Sequence, residues 1–226
     1  MSNINDQFFF AYLSAFQNKT VFTAKTPREM MASPVDKEGW FTWKVLKGNI
    51  SREEYKEIEN QFNVKLPDSF IDWHQSYFFL GGDCSLVRLP YSNPLQPLQE
   101  LKAELDWHIP KKLAPQKIYA FGSDGNDSGP LVFDGRISTK NNEFPIRVYD
   151  EDFGGTLEGL SEIIFSSFSK LLECITHYMN ELKTKRNYEI IPEFFELDPE
   201  GAGKTGIDYW LLWASGLRTE FEEFGY

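Results

Sequence analysis

The sequence is poor in cysteine and histidine, with two Cys and three His among its 226 residues. Cys84 and Cys174 lie far apart, and neither belongs to a CxxC pair or to a dense cysteine framework. This pattern excludes a scaffold held together by disulfides. A reducing compartment is the simplest setting for such a chain, so we expect a cytoplasmic location.

Long apolar runs and a secretion signal are also missing. No segment approaches the roughly 20 consecutive apolar residues that a helix needs to cross a bilayer. The N-terminus carries a short apolar run, but no positively charged region precedes it and Asp6 interrupts its approach. The sequence therefore predicts neither a membrane span nor a signal peptide.

Basic residues are outnumbered by acidic ones. The chain has 23 Lys and Arg against 34 Asp and Glu, which gives a formal net charge of −11 at pH 7. Such a surface repels a phosphate backbone, so we expect no nucleic-acid partner. An acidic surface instead suits a basic protein partner.

The sequence contains many side chains that can form a hydrophobic core. Hydrophobic residues make up 41% of the chain and aromatic residues 16%, enough for it to fold alone. We divide it into an N-terminal extension (residues 1–38), a main domain (39–182) and a C-terminal extension (183–226). The last segment is dense in apolar residues, so we expect it to pack on the domain.

The main domain contains a predicted pair of helices within residues 50–83. Ser51 caps the first helix and Asn63 is a plausible end for it. After Pro67, a second helix is predicted to run to the glycine pair Gly81-Gly82. Its apolar residues are Phe70, Ile71, Trp73, Tyr77 and Phe78. The pattern indicates two consecutive amphipathic helices joined by a proline elbow.

Strands are predicted on both sides of this pair. Residues 39–45 are rich in β-favouring side chains, and residues 117–122, 131–134 and 145–150 predict an antiparallel meander. An apolar stripe over residues 161–182 predicts a further helix. This order predicts an α+β fold with a central antiparallel sheet, an N-terminal helix pair and a C-terminal covering helix.

Between about residues 40 and 180, several residues of types that shape a fold occur in a definite order. They are Glu57, Ile58, Glu59, Leu66-Pro67, Phe70, Trp73, Gly81-Gly82, residues 118–125, Val148-Tyr149-Asp150 and Ser166-Ser167-Phe168. This pattern resembles the SUKH superfamily, which groups bacterial toxin-immunity proteins with a fungal cell-wall assembly regulator and a SecY-interacting protein. The resemblance implies a SUKH-like fold and a function exerted by binding. Since the matching residues are structural, it identifies no binding residue.

A glycine-rich segment in the C-terminal extension contains the GKT end of a phosphate-binding loop, at Gly203-Lys204-Thr205. The full motif needs a glycine where this chain has Asp198, and Glu200 adds negative charge where phosphates would lie. A glycine turn before a helix is therefore the preferred interpretation over a nucleotide site.

Two further patterns could hold a metal. The loop Asp124-Gly125-Asn126-Asp127-Ser128-Gly129 has oxygen-bearing side chains at calcium-loop spacing, but Gly135 stands where the closing glutamate should be. A tight turn explains the same residues. Cys174 and His177 share a predicted helix face, but two ligands do not make a zinc site. We expect neither a metal nor a cofactor.

No catalytic arrangement is recognisable in the sequence. His74, His108 and His177 lie outside any nucleophile elbow or paired Cys/His signature. The sequence therefore predicts a non-catalytic protein. A hydrolase with unrecognised spacing is the alternative.

Acidic residues follow the last predicted strand. Asp150, Glu151 and Asp152 are consecutive there. Further carboxylates are Glu158, Glu162, Glu220, Glu222 and Glu223. These residues are either solvated surface charge or a negative face that steers and holds a cationic protein. Under the second interpretation, Asp150, Glu151 and Asp152 are the predicted partner-binding residues.

The SUKH resemblance implies a specific function for such a face. It implies a cytoplasmic immunity protein that neutralises a polymorphic toxin by direct binding, with a basic toxin domain as the partner. The alternative is a regulatory or scaffold protein of the same fold in cell-wall or secretion-related processes.

Overall fold

The computed structural model describes residues 3–137 and 142–225. The helices are α1 (Ile4–Ala15), α2 (Arg52–Phe62), α3 (Asp68–His74), α4 (Gln99–Asp106), α5 (His108–Leu113), α6 (Phe168–Glu181), α7 (Asn187–Ile190), α8 (Phe194–Leu197) and α9 (Ile207–Phe224). The strands are β1 (Lys19–Val21), β2 (Trp40–Thr42), β3 (Leu46–Lys47), β4 (Tyr77–Phe78), β5 (Val87–Arg88), β6 (Ile118–Asp124), β7 (Pro130–Asp134) and β8 (Ile146–Val148). Helices and antiparallel sheets together confirm the predicted α+β class.

The first helix of the predicted pair is confirmed. Ser51 and Glu54 form a reciprocal capping box, in which each side chain accepts a hydrogen bond from the other residue's backbone N–H. Tyr55 and Ile58 are buried on the inner face of α2. Asn63 has a left-handed φ of 53° and ends the helix, as a C-terminal residue of this type commonly does.

The second helix is shorter than predicted. α3 begins after Pro67 and ends at His74 rather than at Gly81-Gly82. Tyr77 and Phe78 form β4 instead and pair antiparallel with β3. The predicted strand at 39–45 is correct only in part, because β2 covers three of its residues. The long-range pairing of β3 with β4 overrides the helical spacing of the local sequence.

The central sheet has four antiparallel strands in the order β5-β6-β7-β8. The meander β6-β7-β8 is the predicted one, with Tyr119 opposite Phe133 and Leu131 opposite Val148. A bulge lies between Ala120 and Gly122. The sheet is therefore built mainly from strands that follow one another in the chain.

Helices cover the two faces of this sheet. On one face, the rings of Phe121 and Phe133 stack with centroids 3.9 Å apart and meet Phe70 of α3 and Phe168 of α6. On the other face, α5 contributes to a smaller cluster. That cluster consists of Ile109, Leu113, Ile118, Ala120, Val132 and Tyr149. Large aromatic side chains thus fill the main core, and aliphatic ones dominate the second.

The covering helix begins later than predicted. α6 starts at Phe168 with Ser167 as its N-cap, rather than at residue 161. Ile164 and Phe165 are fully buried, but they lie in an extended segment. The backbone of this segment forms hydrogen bonds with the backbone of Ile146 in β8. Their apolar character therefore reflects pairing along the sheet edge, not a helical face.

The C-terminal segment contributes to the same core. Trp210 is fully buried, its ring lies 5.0 Å from that of Phe165, and its Nε1 donates to the carbonyl of Ile164 at 3.0 Å. At the other end of the chain, α1 packs against α6, and Phe8 and Phe9 of α1 contact Trp73. Within the described residues, no helix combines the length and the apolar character that crossing a bilayer requires.

Candidate functional site

Asp150, Glu151 and Asp152 lie in a loop directly after β8, here called the acidic loop (residues 150–160). Its base is closed by a hydrogen bond from the Asp150 N–H to the carbonyl of Gly159, at 2.8 Å. Asp150 then caps a short 3-10 helix, with its carboxylate accepting the N–H of Asp152 at 3.0 Å. The structure therefore places all three predicted residues on a single turn.

These three carboxylates face solvent. Asp150, Glu151 and Asp152 are all exposed. In the part of the chain that the structure describes, none of them belongs to an ion pair. Their negative charge is thus directed outward, where it can act on an approaching molecule.

Two exposed apolar side chains, which the sequence analysis missed, belong to the same loop. Phe153 is 47% exposed and Leu157 is 37% exposed. Protein interfaces commonly combine an aromatic anchor with a charged rim. The signal was present in the sequence, because Phe153 directly follows the three acidic residues and directly precedes Gly154-Gly155.

The acidic loop is tied to the domain by its own glycines. Lys112 Nζ donates to the carbonyl of Gly154 at 2.9 Å, and Gln116 Nε2 donates to the carbonyl of Gly155 at 2.9 Å. The Gly155 N–H donates to the hydroxyl of buried Tyr149 at 2.7 Å. Gly154 and Gly155 have φ of 60° and 96°, which a glycine adopts without strain. A loop held this way loses little conformational entropy on binding.

Other predicted acidic residues extend the negative surface. Glu158 lies in the same loop, and a hydrogen bond with the side chain of Thr156 lowers its pKa. Glu162 is exposed in the extended segment before α6. Glu220, Glu222 and Glu223 lie on the last turns of α9. The structure therefore places one group of carboxylates directly after β8 and a second group on α9.

The glycine-rich segment around Lys204 forms a turn organised by Asp198. This carboxylate is almost fully buried and accepts hydrogen bonds from the N–H groups of Gly201, Ala202 and Ser166. Lys204 Nζ lies 3.1 Å from the carboxylate of Glu200. The residue that breaks the nucleotide motif thus holds the turn together from inside.

The predicted turn at 124–129 is held by its own Asp124 and by Arg88 of β5. Asp124 accepts the N–H of Ser128 at 2.7 Å, and Arg88 pairs with Asp127 and donates to the carbonyl of Gly125. These contacts occupy side chains that calcium would need. Across residues 3–137 and 142–225, no group of three or more His, Cys, Asp or Glu is arranged to hold a metal ion.

The three histidines lie at separate places, and Cys174 and His177 lie one turn apart on α6. His74 is buried beside Tyr55, His108 lies next to Trp107, and His177 Nε2 lies 2.5 Å from a carboxylate oxygen of Glu193. Both cysteines are unpaired and buried, and burial raises their pKa well above the ordinary value. Buried neutral thiols of this kind are poor nucleophiles.

Comparisons with protein-family models, with curated proteins and with solved structures give no match to this chain.

Proposed function

We propose that this chain is a non-catalytic cytoplasmic binding protein that holds a basic protein partner against the acidic loop. The observation that carries the proposal is the combination of three outward carboxylates with the exposed ring of Phe153 on one tethered turn. The carboxylates would steer a cationic surface to the loop, and Phe153 would supply the buried contact.

The partner we propose is a toxin, and the role is that of an immunity protein that neutralises it by occluding its surface. The sequence resemblance to the SUKH superfamily supports this role, as does a net charge that suits a basic toxin domain. Two unpaired cysteines support a reducing, cytoplasmic setting. No reaction or cofactor is required for protection by occlusion.

The test uses candidate toxins encoded beside this chain, co-expressed with it. The variant Asp150→Asn, Glu151→Asn, Asp152→Asn removes three charges, and Asn at position 150 can still cap the short helix. We expect this variant to lose rescue and to associate more slowly than the wild type. Phe153→Ser should weaken the complex by about 2 kcal/mol, the scale of an interface hot spot.

A matched control removes three exposed carboxylates elsewhere, through Glu38→Gln, Glu57→Gln and Glu196→Gln. It should protect like the wild type. Association through the acidic loop should also slow as salt rises, because the Debye length falls from about 10 Å at 0.1 M to about 3 Å at 1 M. Full rescue by the triple Asn variant, together with salt-independent association, would exclude the acidic loop as the binding face.

A further inference from the structure

A small groove lies between α9 and the turn that joins β6 to β7, here called the α9 groove. Its volume is ≈ 150 Å³, the size of a cavity that can hold a benzene-sized group. Its lining includes Tyr209, Leu212 and Trp213 and two carboxylate residues, Asp124 and Glu220, but no basic residue. The groove is therefore both apolar and negative.

Asp124 is fully buried and belongs to the lining of this groove. One carboxylate oxygen accepts the N–H of Ser128 at 2.7 Å, and the other lies 3.4 Å from the hydroxyl of Tyr209. Arg88 is close enough to interact electrostatically with Asp124, but its ion pairs are with Asp83 and Asp127, and none of the ion pairs among the described residues includes Asp124. A buried carboxylate without a direct ion pair carries a desolvation cost, which an incoming positive charge in contact with it would offset further.

The aromatic wall of the groove suits one kind of cation in particular. A guanidinium group is planar, stacks on aromatic faces and donates several hydrogen bonds to carboxylates. Tyr209 and Trp213 line the groove together with Asp124 and Glu220. Burial, together with the charge of Asp124, raises the pKa of Tyr209, so its hydroxyl remains a neutral donor.

Gly216 keeps the groove open along α9. It lies in the interior of an 18-residue helix and is exposed, and a Cβ placed on it would meet no atom within 4 Å. A glycine at such a position costs about 1 kcal/mol of stability relative to alanine. Open space therefore exists at the point on α9 where any other residue would place a side chain.

The α9 groove adjoins the acidic loop. Gly129, at the end of the turn that forms one side of the groove, packs closely against the carbonyl of Tyr149, and a Cβ placed on it would lie 3.7 Å from Cγ of Glu151. The two features therefore flank the same turn. A partner docked on the acidic loop has the groove within reach.

We propose that the α9 groove receives one arginine side chain of the basic protein partner, with its guanidinium directed at Asp124 and Glu220 between Tyr209 and Trp213. This inference rests on the proposed function and adds a specific anchor to it. The acidic loop would supply long-range attraction, and the groove would supply a directional contact for a single residue.

The test needs no partner. The indole N–H of Trp213 and the amide of Gly216 are followed by NMR while N-acetyl-arginine amide is added, with the neutral isostere N-acetyl-citrulline amide as the control ligand. We expect saturable changes in chemical shift at both positions. The arginine probe should bind roughly tenfold more tightly than the citrulline probe, a gain that a cation on an aromatic face can provide. The variant Gly216→Leu, which fills the opening, should abolish the response, and Gly216→Ala should retain it.

Both variants place good helix formers on α9, so both should fold. Equal shifts with the citrulline probe, a silent titration, or an unchanged response in Gly216→Leu would each overturn the arginine anchor. None of these results bears on the acidic loop, whose role is tested separately by toxin rescue. A failure of the anchor and a failure of the proposed function are therefore distinguishable.

Discussion

The carboxylate of Asp198 accepts two hydrogen bonds from Ser166, one from its backbone N–H at 2.7 Å and one from its hydroxyl at 2.5 Å. This contact joins the C-terminal segment to the chain just before α6. Replacing Asp198 by alanine would leave buried N–H groups without an acceptor, so we expect Asp198→Ala to lower the free energy of unfolding by about 3 kcal/mol. Urea unfolding measures this loss.

Glu200→Ala is the control for that variant. Glu200 is exposed, and its only ion pair among the described residues is the surface contact with Lys204. Such pairs contribute about 1 kcal/mol at most. Equal losses in both variants would contradict the structural role of Asp198.

The same turn predicts that magnesium-ATP does not bind. Asp198 fills the interior of the glycine-rich segment, and Lys204 lies beside Glu200, so a phosphate would meet carboxylates there. Calorimetric titration with magnesium-ATP should give no heat of binding. Micromolar affinity that disappears in Lys204→Ala would show this expectation to be wrong.

Trp73 is predicted to stabilise the folded state. It is fully buried, and its ring contacts those of Phe8, Phe9, Phe79 and Phe168. Truncation of a large buried aromatic costs roughly 3 to 5 kcal/mol, so Trp73→Ala should lower the melting temperature strongly.

Trp40→Ala serves as the comparison for Trp73→Ala. Trp40 lies on β2 and is 43% exposed, so its truncation should cost far less than that of Trp73. Thermal unfolding followed by circular dichroism gives both values. An unchanged melting temperature in Trp73→Ala would contradict the assignment of this residue to the core.

His74 should make stability depend on pH below neutrality. Burial lowers its pKa to about 3, against an ordinary value near 6.5. Between these two values the unfolded chain binds a proton that the folded chain does not. The free energy of unfolding should therefore fall as pH drops from about 6.5, by up to about 1.4 kcal/mol per pH unit.

A double variant isolates this contribution. The hydroxyl of Tyr55 lies 2.7 Å from Nδ1 of His74, and both side chains are buried. Tyr55→Phe combined with His74→Leu removes both polar partners, so neither is left unsatisfied. Urea midpoints between pH 5 and pH 7 should vary less in this variant than in the wild type. Parallel profiles would assign the pH dependence to other groups.

Local signals made part of the fold predictable. The capping box at Ser51 and Glu54 and the left-handed Asn63 bound α2 through interactions within the helix itself. The end of α3 was not predictable in this way, because Tyr77 and Phe78 pair with a strand about thirty residues earlier. The start of the covering helix was mispredicted for the same reason. Ile164 and Phe165 pair with Ile146, which is distant in sequence.

The candidate site was likewise predictable only in part. Three consecutive acidic residues after a strand indicated the acidic loop directly. The exposure of Phe153 depends on how Lys112 and Gln116 hold the loop, and those contacts have no signature in the local sequence. The α9 groove needed the fold as well, because Asp124 and Tyr209 are separated by 85 residues.

The burial of Trp210 has a consequence for how this protein is made. Its indole closes the core against Phe165 and Phe194, although Phe165 precedes it by about 45 residues in the chain. During synthesis on the ribosome, the N-terminal part of a chain becomes available for folding first. Here the apolar surface around Phe165 stays uncovered until α9 has emerged, so the nascent chain exposes apolar surface over that interval.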